Sequence, residues 1–559
     1  MTALFERHRP TLEAALQAAA KRDFWSAYPE VPSGKIYGET AKDDGLAAYK
    51  ARLGQPFVLA DHPFEGTVGA EVSPYGPTLG ITYPAASVDM LVSASRAAAP
   101  QWAAATPETR VGICLEILAR LNARSFEMAN AVMHTTGQAF AMAFQAGGPH
   151  AQDRGLEAAT YAYAEMTRTP ATATWTKPQG KGEPIVMEKH WRIVPRGVSL
   201  VIGCNTFPTW NSYPGLFASL ATGNTVIVKP HPAAILPLAI TVEIIRQVLV
   251  EEGFAADIVL LAADVPGSEV TKDLVQHPAI AIVDYTGSNS FGAWVRENAG
   301  SADVYTEEAG VNSIVIGATD NFAGMCSNIA FSLSLYSGQM CTAPQNVFVP
   351  RGGIETNEGH KSFDDVAAGI AAAVDGLLSD PARAAGVCGA IANPATLARI
   401  STVRALGRLV RDSAPIEGLD GARTATPLIL AVDAADSETY AKERFGPIAF
   451  VVAVNDVVDG VNRAAELAER KGAITAALYA TDEAQILAAA DRFATAGVNL
   501  SVNLTGGIYV NQSVAFSDFH VTGANPAGNA SLTDAAFVAS RFRVVMWRRP
   551  AAASEELSF

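Results

Sequence analysis

Cysteine is scarce in this chain of 559 residues. The five cysteines stand far apart and include no C-x-x-C pair: Cys114, Cys204, Cys326, Cys341 and Cys388. An odd number with such spacing argues against a disulfide framework and against a zinc site, and it favours a reducing compartment. We therefore expect a cytoplasmic protein with no metal.

Long hydrophobic runs are also missing. Gly, Pro or a charge interrupts every apolar stretch well short of the ~20 residues that a membrane-spanning helix needs. The first residues, "MTALFERHRPTLEAAL", carry charge from Glu6 onward and have no apolar core typical of a secretory signal. The sequence predicts neither a membrane span nor a signal peptide.

Basic residues are outnumbered, with 41 Lys and Arg against 56 Asp and Glu, which gives a net charge of −15. No Lys/Arg-rich block offsets this locally, so binding of nucleic acid is disfavoured. The composition is 49% hydrophobic and 17% charged, as in folded proteins. The length predicts two or three domains.

Apolar strands alternate with helical segments from residue 197. Predicted strands cover 197–203, 224–230, 257–263 and 279–288, with helices at 235–251 and 267–276. This pattern is typical of a parallel sheet covered on both faces, which binds ligands at the carboxyl ends of its strands. The Gly-x-Gly-x-x-Gly fingerprint is absent, so a dinucleotide would have to be held in another way.

A second alternating region, 312–510, predicts another α/β domain, whereas 88–145 reads as long helices. The late strand "FVASRFRVVMWRRP" (537–550) has no neighbouring strand along the chain, and "EPIVMEKHWRIVPRG" (183–197) is its candidate counterpart. Such an isolated terminal strand often completes the sheet of a neighbouring subunit.

Five short stretches carry residues with chemical potential: "NTVIVKPHP", "DYTGSNSFG", "YTEEAG", "SGQMC" and "KERFGPIAF". Taken singly, each has a plain structural explanation, because a lone cysteine is more often an inert small hydrophobe than a nucleophile. The residues of interest are, in order, Lys229, Gly287, Ser288, Gly292, Glu307, Cys341, Glu443 and Phe445.

Their order and spacing resemble the aldehyde dehydrogenase superfamily from about residue 60 to the end. "SLATGNTVIVKP" and "ERFGPIAFVV" are close to that family's wording. "CNTFPTWN", "YTEEAGVNS" and the long N-terminal extension are similar to a narrower group, the PaaN group of phenylacetate degradation, which is related to the dehydrogenase half of PaaZ proteins.

The resemblance implies an α/β fold with a Rossmann-type cofactor domain, an α/β catalytic domain and a β oligomerisation arm. The expected boundaries are an N-terminal extension at 1–60, a dinucleotide-binding domain at 61–175 and 198–306, and a catalytic domain at 307–510. The arm would comprise 176–197 and 537–555. A homodimer or a homotetramer is expected.

For catalysis, the resemblance implies that the Cys341 thiolate attacks an aldehyde and forms a thiohemiacetal, which loses hydride to a nicotinamide and becomes a thioester. Glu307 would activate the water that hydrolyses the thioester. In this sequence, the Asn that binds the oxyanion in the family is not found at its usual position. If Phe207 and Pro208 fix the alignment, Thr206 stands at its position and Asn205 one place earlier, and we favour Asn205 as the donor.

For the cofactor, the resemblance assigns Lys229 to the adenosine ribose, and Gly287, Ser288 and Gly292 to the turn beside the pyrophosphate, where a helix N-terminus favours an anion. Glu443 would bind the nicotinamide ribose and Phe445 would flank the ring. NAD-preferring relatives commonly carry a Glu where this chain has Pro232. Because that carboxylate would repel a 2′-phosphate, its absence favours NADP over NAD.

The predicted substrate is an aldehyde, by likeness a CoA-linked aliphatic semialdehyde from ring cleavage. Two alternatives stay open: a CoA-acylating aldehyde dehydrogenase, and a catalytically silent relative. Glu307 argues against the first, since CoA-acylating enzymes typically lack this base. None of the nine histidines lies in a motif, which argues against a Cys–His pair.

Overall fold

The computed structural model describes residues 3–532 and 534–551. Its strands and helices follow the alternation of apolar segments and turn residues in the sequence. The helices are α1 Ala3–Lys21, α2 Gly34–Tyr37, α3 Ala41–Arg52, α4 Val88–Ala104, α5 Pro107–Ala123, α6 Ser125–Thr136, α7 Phe140–Gly147, α8 Pro149–Thr167, α9 Pro208–Ala221, α10 Leu236–Glu251, α11 Val270–Gln276, α12 Asn289–Asn298, α13 Phe322–Ser334, α14 Phe363–Leu378, α15 Pro381–Cys388, α16 Pro394–Val403, α17 Ser437–Tyr440, α18 Val457–Lys471, α19 Glu483–Thr495 and α20 Ala535–Ala539.

The strands form five sheets. They are β1 Gly66–Val68, β2 Tyr83–Ala85, β3 Thr172–Gln179, β4 Gly182–Pro195, β5 Val198–Ile202, β6 Thr225–Lys229, β7 Val259–Leu261, β8 Ile280–Gly287, β9 Asp303–Glu308, β10 Ser313–Ile316, β11 Ala318–Thr319, β12 Asn346–Pro350, β13 Ile354–Thr356, β14 Gly359–Lys361, β15 Arg408–Arg411, β16 Leu428–Asp433, β17 Ile448–Val454, β18 Thr475–Tyr479, β19 Asn499–Val502 and β20 Phe542–Pro550.

A five-stranded sheet in the order β7-β6-β5-β8-β9 occupies the first α/β region. Every neighbouring pair is parallel. Strands β5 and β6 are buried at every residue, as expected for a sheet with helices on both faces. The chain leaves β5 in one direction for β6 and β7 and returns on its other side for β8, so a topological switch point lies between β5 and β8.

A seven-stranded sheet in the order β15-β16-β17-β12-β10-β18-β19 forms the second region. It is parallel except for β15, which runs antiparallel on the edge. The apolar stretches "NSIVIG", "NVFVP", "IAFVVAV" and "AITAALYA", which predict strands, correspond to β10, β12, β17 and β18. Two largely parallel sheets, each combined with helices, confirm the predicted α/β fold class.

The first 60 residues pack on the helices that follow them. The face of α1 buries Leu4, Phe5 and Leu12 against α5. Gly112 of α5 allows this close approach, because a β-carbon there would lie 2.7 Å from the Phe5 backbone nitrogen. Glu116 of α5 accepts from His8, with 2.8 Å between His8 Nε2 and the carboxylate. The extension is thus joined to the main core.

A three-stranded antiparallel sheet, β20-β4-β3, stands apart from the two large sheets. The final strand pairs with the predicted counterpart inside the same chain, from Phe542 opposite Pro195 to Pro550 opposite Met187. All of β3 and most of β20 are exposed. Residues 552–555 of the predicted arm lie outside the described residues. No helix within 3–532 and 534–551 is both long and apolar enough to cross a membrane.

Candidate active site

The segment before Cys341 is wound into an unusual backbone shape. Tyr336, Ser337 and Gly338 all have positive φ, at 50°, 50° and 62°. For a residue with a β-carbon this conformation costs about 1–3 kcal/mol, so the surroundings must enforce it. They do: the Tyr336 hydroxyl donates to the Thr136 carbonyl over 2.5 Å, and Ser337 Oγ donates to the Ala425 carbonyl over 2.8 Å.

Asn312 fixes the other side of this loop. Its amide donates to the carbonyl oxygens of Cys341, at 2.7 Å, and Ala343, at 3.0 Å. Its side-chain oxygen accepts from the N–H of Ile474, which begins the approach to β18. The loop that carries Cys341 is therefore tied to the seven-stranded sheet.

Cys341 meets Glu307 at the junction of the two regions. Glu307 lies at the carboxyl end of β9, is 1% exposed, and places Oε1 3.6 Å from Cys341 Sγ. His520, also buried, has Nε2 2.9 Å from the same carboxylate oxygen and 3.7 Å from Sγ. Three chemically active groups thus converge on one point.

Asn211 completes the surroundings of the Glu307 carboxylate. Its Nδ2 lies 3.0 Å from Oε1 and 2.9 Å from Oε2. An ionised carboxylate only accepts hydrogen bonds, so the His520 Nε2 facing it must carry a hydrogen. The other ring nitrogen, Nδ1, then accepts from Ser513 Oγ at 3.4 Å. Three donors, from Asn211, His520 and Cys341, point at Glu307.

The thiol of Cys341 is protonated in this arrangement. Burial raises the pKa of Cys341 well above its ordinary value, and the negative charge of Glu307 raises the pKa further. The sulfur becomes a nucleophile only when its proton is taken up, and Glu307 is the acceptor to which Sγ donates.

The sulfur, the imidazole nitrogen and the carboxylate oxygen lie within 4.8 Å of one another, close enough for one divalent cation to contact all three. Their mutual hydrogen bonds account for this spacing without an ion.

A cavity of about 780 Å³ opens above Cys341. Its walls are largely apolar and include Phe207, Trp210, Met340, Phe331 and Tyr509. Trp210 packs its edge against the His520 ring, with 4.5 Å between ring centroids. This size and character are typical of a site for a small organic substrate.

On the other side of Glu307, the five-stranded sheet presents the carboxyl ends of its strands. Lys229, the last residue of β6, is buried and its Nζ lies 2.7 Å from Asp264 Oδ1. Asp264 follows β7, so two neighbouring strand ends supply a cation and an anion. Burial lowers the pKa of Lys229, and the attraction of Asp264 opposes this.

Two of the three residues predicted for the pyrophosphate turn lie at the start of α12. Gly287 ends β8, and Ser288 is the exposed N-cap of α12, accepting from the Phe291 N–H. Gly292 is buried inside the helix, where a β-carbon would lie 2.2 Å from Glu308 Oε1. Glycine at this position allows α12 to pack against the Glu308 side chain. The adjacent Asn289 Oδ1 is buried with no partner among the described residues.

Glu443 and Phe445 lie on the segment between α17 and β17, which packs on the Cys341 loop. A β-carbon on Gly338 would lie 2.5 Å from the Gly446 carbonyl oxygen, so glycine is required there. Burial raises the pKa of Glu443 to about 7, opposed by the charge of Arg399. The two residues therefore stand close to the catalytic loop, on a rigidly held turn.

Asn205 is directed elsewhere in this structure. Its amide donates to the Thr135 carbonyl oxygen at 3.4 Å, and it is not among the described residues that line the cavity above Cys341. The Thr206 carbonyl accepts from Gln138 at 2.8 Å. The backbone N–H of Cys341, the other expected oxyanion donor, donates to no backbone carbonyl within the described ranges.

The sequence did not indicate a histidine beside Cys341, yet His520 Nε2 lies 3.7 Å from its sulfur and 2.9 Å from the Glu307 carboxylate. His520 is 179 positions away in the sequence and stands in a loop without a family motif, so only folding brings the two together. Asn211 and Asp264 were also missed. Asn211 lies in "CNTFPTWN", where a second amide six residues after Asn205 was the available signal.

A half-buried cysteine lies in contact with a carboxylate, beneath a substrate-sized cavity and beside the carboxyl edge of a parallel sheet. This arrangement is suited to covalent thiol chemistry in an α/β enzyme. The chain belongs to the aldehyde dehydrogenase family, whose model matches residues 78–523. It is therefore an oxidoreductase that acts on aldehydes.

Similar proteins agree. The crystal structure of an NAD-dependent aldehyde dehydrogenase from Burkholderia multivorans has a TM-score of 0.97 and 55% identity, covering 99% of this chain and 100% of that chain. An N-succinylglutamate 5-semialdehyde dehydrogenase from Burkholderia multivorans is 27% identical over 399 residues, which are 70% of this chain and 76% of that protein. A 1-pyrroline-5-carboxylate dehydrogenase from Thermus, with a TM-score of 0.73 at 19% identity over 95% of this chain and 99% of that chain, shares the fold.

Proposed function

We propose that this enzyme oxidises an aldehyde to a carboxylic acid with a nicotinamide dinucleotide, using Cys341 as nucleophile and Glu307 as base. The observation that carries the proposal is the contact of 3.6 Å between Cys341 Sγ and Glu307 Oε1 on the floor of the cavity. Glu307 accepts the thiol proton, and the sulfur attacks the aldehyde carbon to give a thiohemiacetal. The Cys341 N–H is the proposed oxyanion donor. Asn205, which the sequence predicts for this role, would first have to leave the Thr135 carbonyl and turn into the cavity.

The nicotinamide, when bound, supplies the hydride acceptor. The remaining chemistry belongs to the chain. After the thiol proton has passed to solvent, Glu307 takes a proton from a water molecule. The resulting hydroxide attacks the thioester carbon, the C–S bond breaks to release the acid, and the sulfur leaves as the thiolate. His520 and Asn211 hold the carboxylate in position for this step, since both donate to it.

Hydrolysis of the thioester is favoured over transfer to CoA. A CoA-acylating enzyme needs no water-activating base, whereas here three donors orient the Glu307 carboxylate toward the sulfur. The same intact set argues against a silent relative.

For the cofactor, Lys229 is proposed to bind the adenosine ribose, with Gly287 and Ser288 beside the pyrophosphate. The unpartnered Asn289 oxygen and the exposed N-cap support a ligand at this turn. Glu443 and Phe445 are proposed to contact the nicotinamide ribose and ring, and Gly292 serves the same turn by admitting Glu308.

We propose that the enzyme prefers NAD as its cofactor, although Pro232 in the sequence favours NADP. Asp264, 2.7 Å from Lys229 Nζ, supplies from a different strand the carboxylate that position 232 lacks. A carboxylate there accepts from ribose hydroxyls and repels a 2′-phosphate. The NAD-dependent relative from Burkholderia multivorans supports the same choice.

The substrate proposed is an aldehyde with an extended apolar arm. A CoA-linked semialdehyde, the class that the resemblance implies, would fit only if its charged CoA part stays outside the cavity above Cys341. Among the described lining residues, Arg154 is the only Lys or Arg, and it is paired with Glu157 at 2.7 Å. A cavity without an unpaired Lys or Arg is a poor fit to a substrate with two carboxylates, such as the N-succinylglutamate semialdehyde in the name of those relatives.

We further propose that the two sheets are the dinucleotide-binding and catalytic domains, with the boundaries given above. The projecting sheet β20-β4-β3 is proposed as the arm of a homo-oligomer. Exposed Trp175, Val545 and Trp547 on its faces support this role. The cytoplasm is the proposed location.

The test is oxidation of a panel of free and CoA-linked aldehydes with NAD or NADP, by wild type beside Cys341→Ala. We expect reduced nicotinamide and free acid from wild type without added CoA, and none from the variant. Product that forms only when CoA is added would favour the acylating alternative. A wild type that oxidises no aldehyde of the panel and shows no burst of reduced nicotinamide would contradict the proposal.

A further inference from the structure

One wall of the cavity above Cys341 comes from a distant part of the chain. Residues 24–31, between α1 and α2, contribute side chains to the lining, among them Phe24, Ser26, Tyr28 and Val31. These residues precede the stretch that the family model matches. The wall therefore lies outside the part of the chain that the family model matches.

The wall is fixed to α8 through one buried carboxylate. Ser26 Oγ donates to Asp153 Oδ2 at 2.5 Å, and the Ala27 N–H donates to Asp153 Oδ1 at 3.1 Å. Asp153 is 4% exposed and lines the same cavity. Both carboxylate oxygens are engaged, so Asp153 holds the segment at two points.

Further contacts hold the ends of the segment. Trp25 meets Phe516 edge-on, with ring centroids 5.2 Å apart. Glu30 pairs with His150 of α8 at 2.7 Å, and the Tyr37 hydroxyl donates to the Pro29 carbonyl at 2.5 Å. The segment is thus a fixed surface, shaped before any ligand arrives.

The outer part of this surface is apolar and exposed. Phe24 is 78% exposed and Val31 is 54% exposed, and both line the cavity. Val514, from a separate stretch of the lining, is 37% exposed. A single exposed apolar side chain needs no explanation. Three in the lining of one cavity provide apolar area that a ligand reaching out from Cys341 would bury.

We propose that residues 24–31 are a specificity-determining wall, which selects aldehydes by an apolar arm that leaves Cys341 and lies against Phe24 and Val31. This inference rests on the proposed aldehyde oxidation. Short aldehydes would react at Cys341 without reaching the wall, so the wall adds to binding only for long ones.

The test compares propanal with decanal in Phe24→Asp and Val31→Asp. The matched control is Leu487→Asp, since Leu487 is an equally apolar residue of α19, 58% exposed and outside the lining. We expect kcat/KM for decanal to fall about tenfold in the two wall variants, with propanal within about twofold of wild type and the control unchanged for both. Equal losses for the two aldehydes, or no loss, would overturn the inference.

A second measurement separates this inference from the proposed function. N-ethylmaleimide and N-octylmaleimide alkylate thiols without any cofactor, and peptide mapping reports the rate at Cys341. We expect wild type to react faster with the octyl reagent and the wall variants to lose that preference. If wild type oxidises no aldehyde but keeps this preference, only the proposed reaction fails. If the preference is absent in wild type, the wall itself is refuted.

Discussion

The cofactor face and the substrate face of this enzyme meet at Glu307 but are built differently. The proposed cofactor face consists of strand ends of one parallel sheet, with Lys229, Asp264 and Gly287 at the ends of or just after β6, β7 and β8. The substrate face is assembled from separate stretches, including 24–31, α8, α9 and the loop around His520. A sheet edge fixes its residues through backbone hydrogen bonds, whereas the substrate face depends on side-chain contacts between distant segments. A sheet edge suits a ligand that stays the same, whereas side-chain contacts between separate segments allow the substrate to differ from one enzyme to another.

The largest expected effect is at the point where the two faces meet. Glu307→Gln replaces an acceptor by an amide whose NH2 would face the donors of Asn211 and His520. Because Glu307 accepts both the thiol proton and the proton of the hydrolytic water, we expect kcat to fall by about 10³-fold and the burst of reduced nicotinamide to be slowed as well. Rapid mixing measures the burst, and mass spectrometry of the acyl group on Cys341 measures the thioester. A burst at the wild-type rate would show that another group takes the thiol proton.

The next effect tests whether the substrate face positions that base. His520→Leu removes a donor to Glu307, while His520→Gln keeps an N–H donor in its place. We expect kcat to fall about 10²-fold in the Leu variant, with KM little changed, and to recover at least partly in the Gln variant. A merely structural role would give equal losses in both variants. Unchanged kcat in the Leu variant would refute the positioning role.

The difference between the faces also explains what the sequence could predict. The strands on which the site is built were predictable from their apolar patterns, and short motifs marked the order of the candidate residues. Lys229, Ser288 and Glu307 lie at or just after strand ends, whereas Cys341 and Glu443 lie in the loops before β12 and β17. His520 and residues 24–31 were not predictable, because no local pattern tells that a loop or an extension folds back over a cysteine. Asn205 is an intermediate case. The motif pointed to the correct stretch of the sequence, but in the folded chain it is Asn211 of that stretch that contacts Glu307.

On the cofactor face, Asp264→Asn should change cofactor choice and leave the aldehyde chemistry intact. Removing the carboxylate beside Lys229 removes repulsion of a 2′-phosphate, so we expect the ratio of kcat/KM for NADP to that for NAD to rise about tenfold. Pro232→Glu is the converse variant and should lower the ratio. Rates of Cys341 alkylation without cofactor are the control and should not change. A ratio unaffected by both variants would remove Asp264 and position 232 from the ribose site.

The smallest effect concerns stability on the substrate face, through the carboxyl group that holds residues 24–31. Burial raises the pKa of Asp153 from 3.8 to about 7, against the opposing hydrogen bonds from Ser26 and Ala27. A raised native pKa means that the folded protein binds the proton more tightly than the unfolded chain, so this contribution to stability is complete at low pH and is lost as the pH rises through about 7.

Between pH 4 and pH 7 we therefore expect the free energy of unfolding of wild type, relative to Asp153→Asn, to fall by roughly 2–4 kcal/mol. Urea unfolding across this range measures the difference, with the exposed Asp491→Asn as control. A difference between wild type and Asp153→Asn that does not vary with pH would mean that Asp153 keeps its charge throughout, and that the wall is held by an ionised carboxylate at every pH tested.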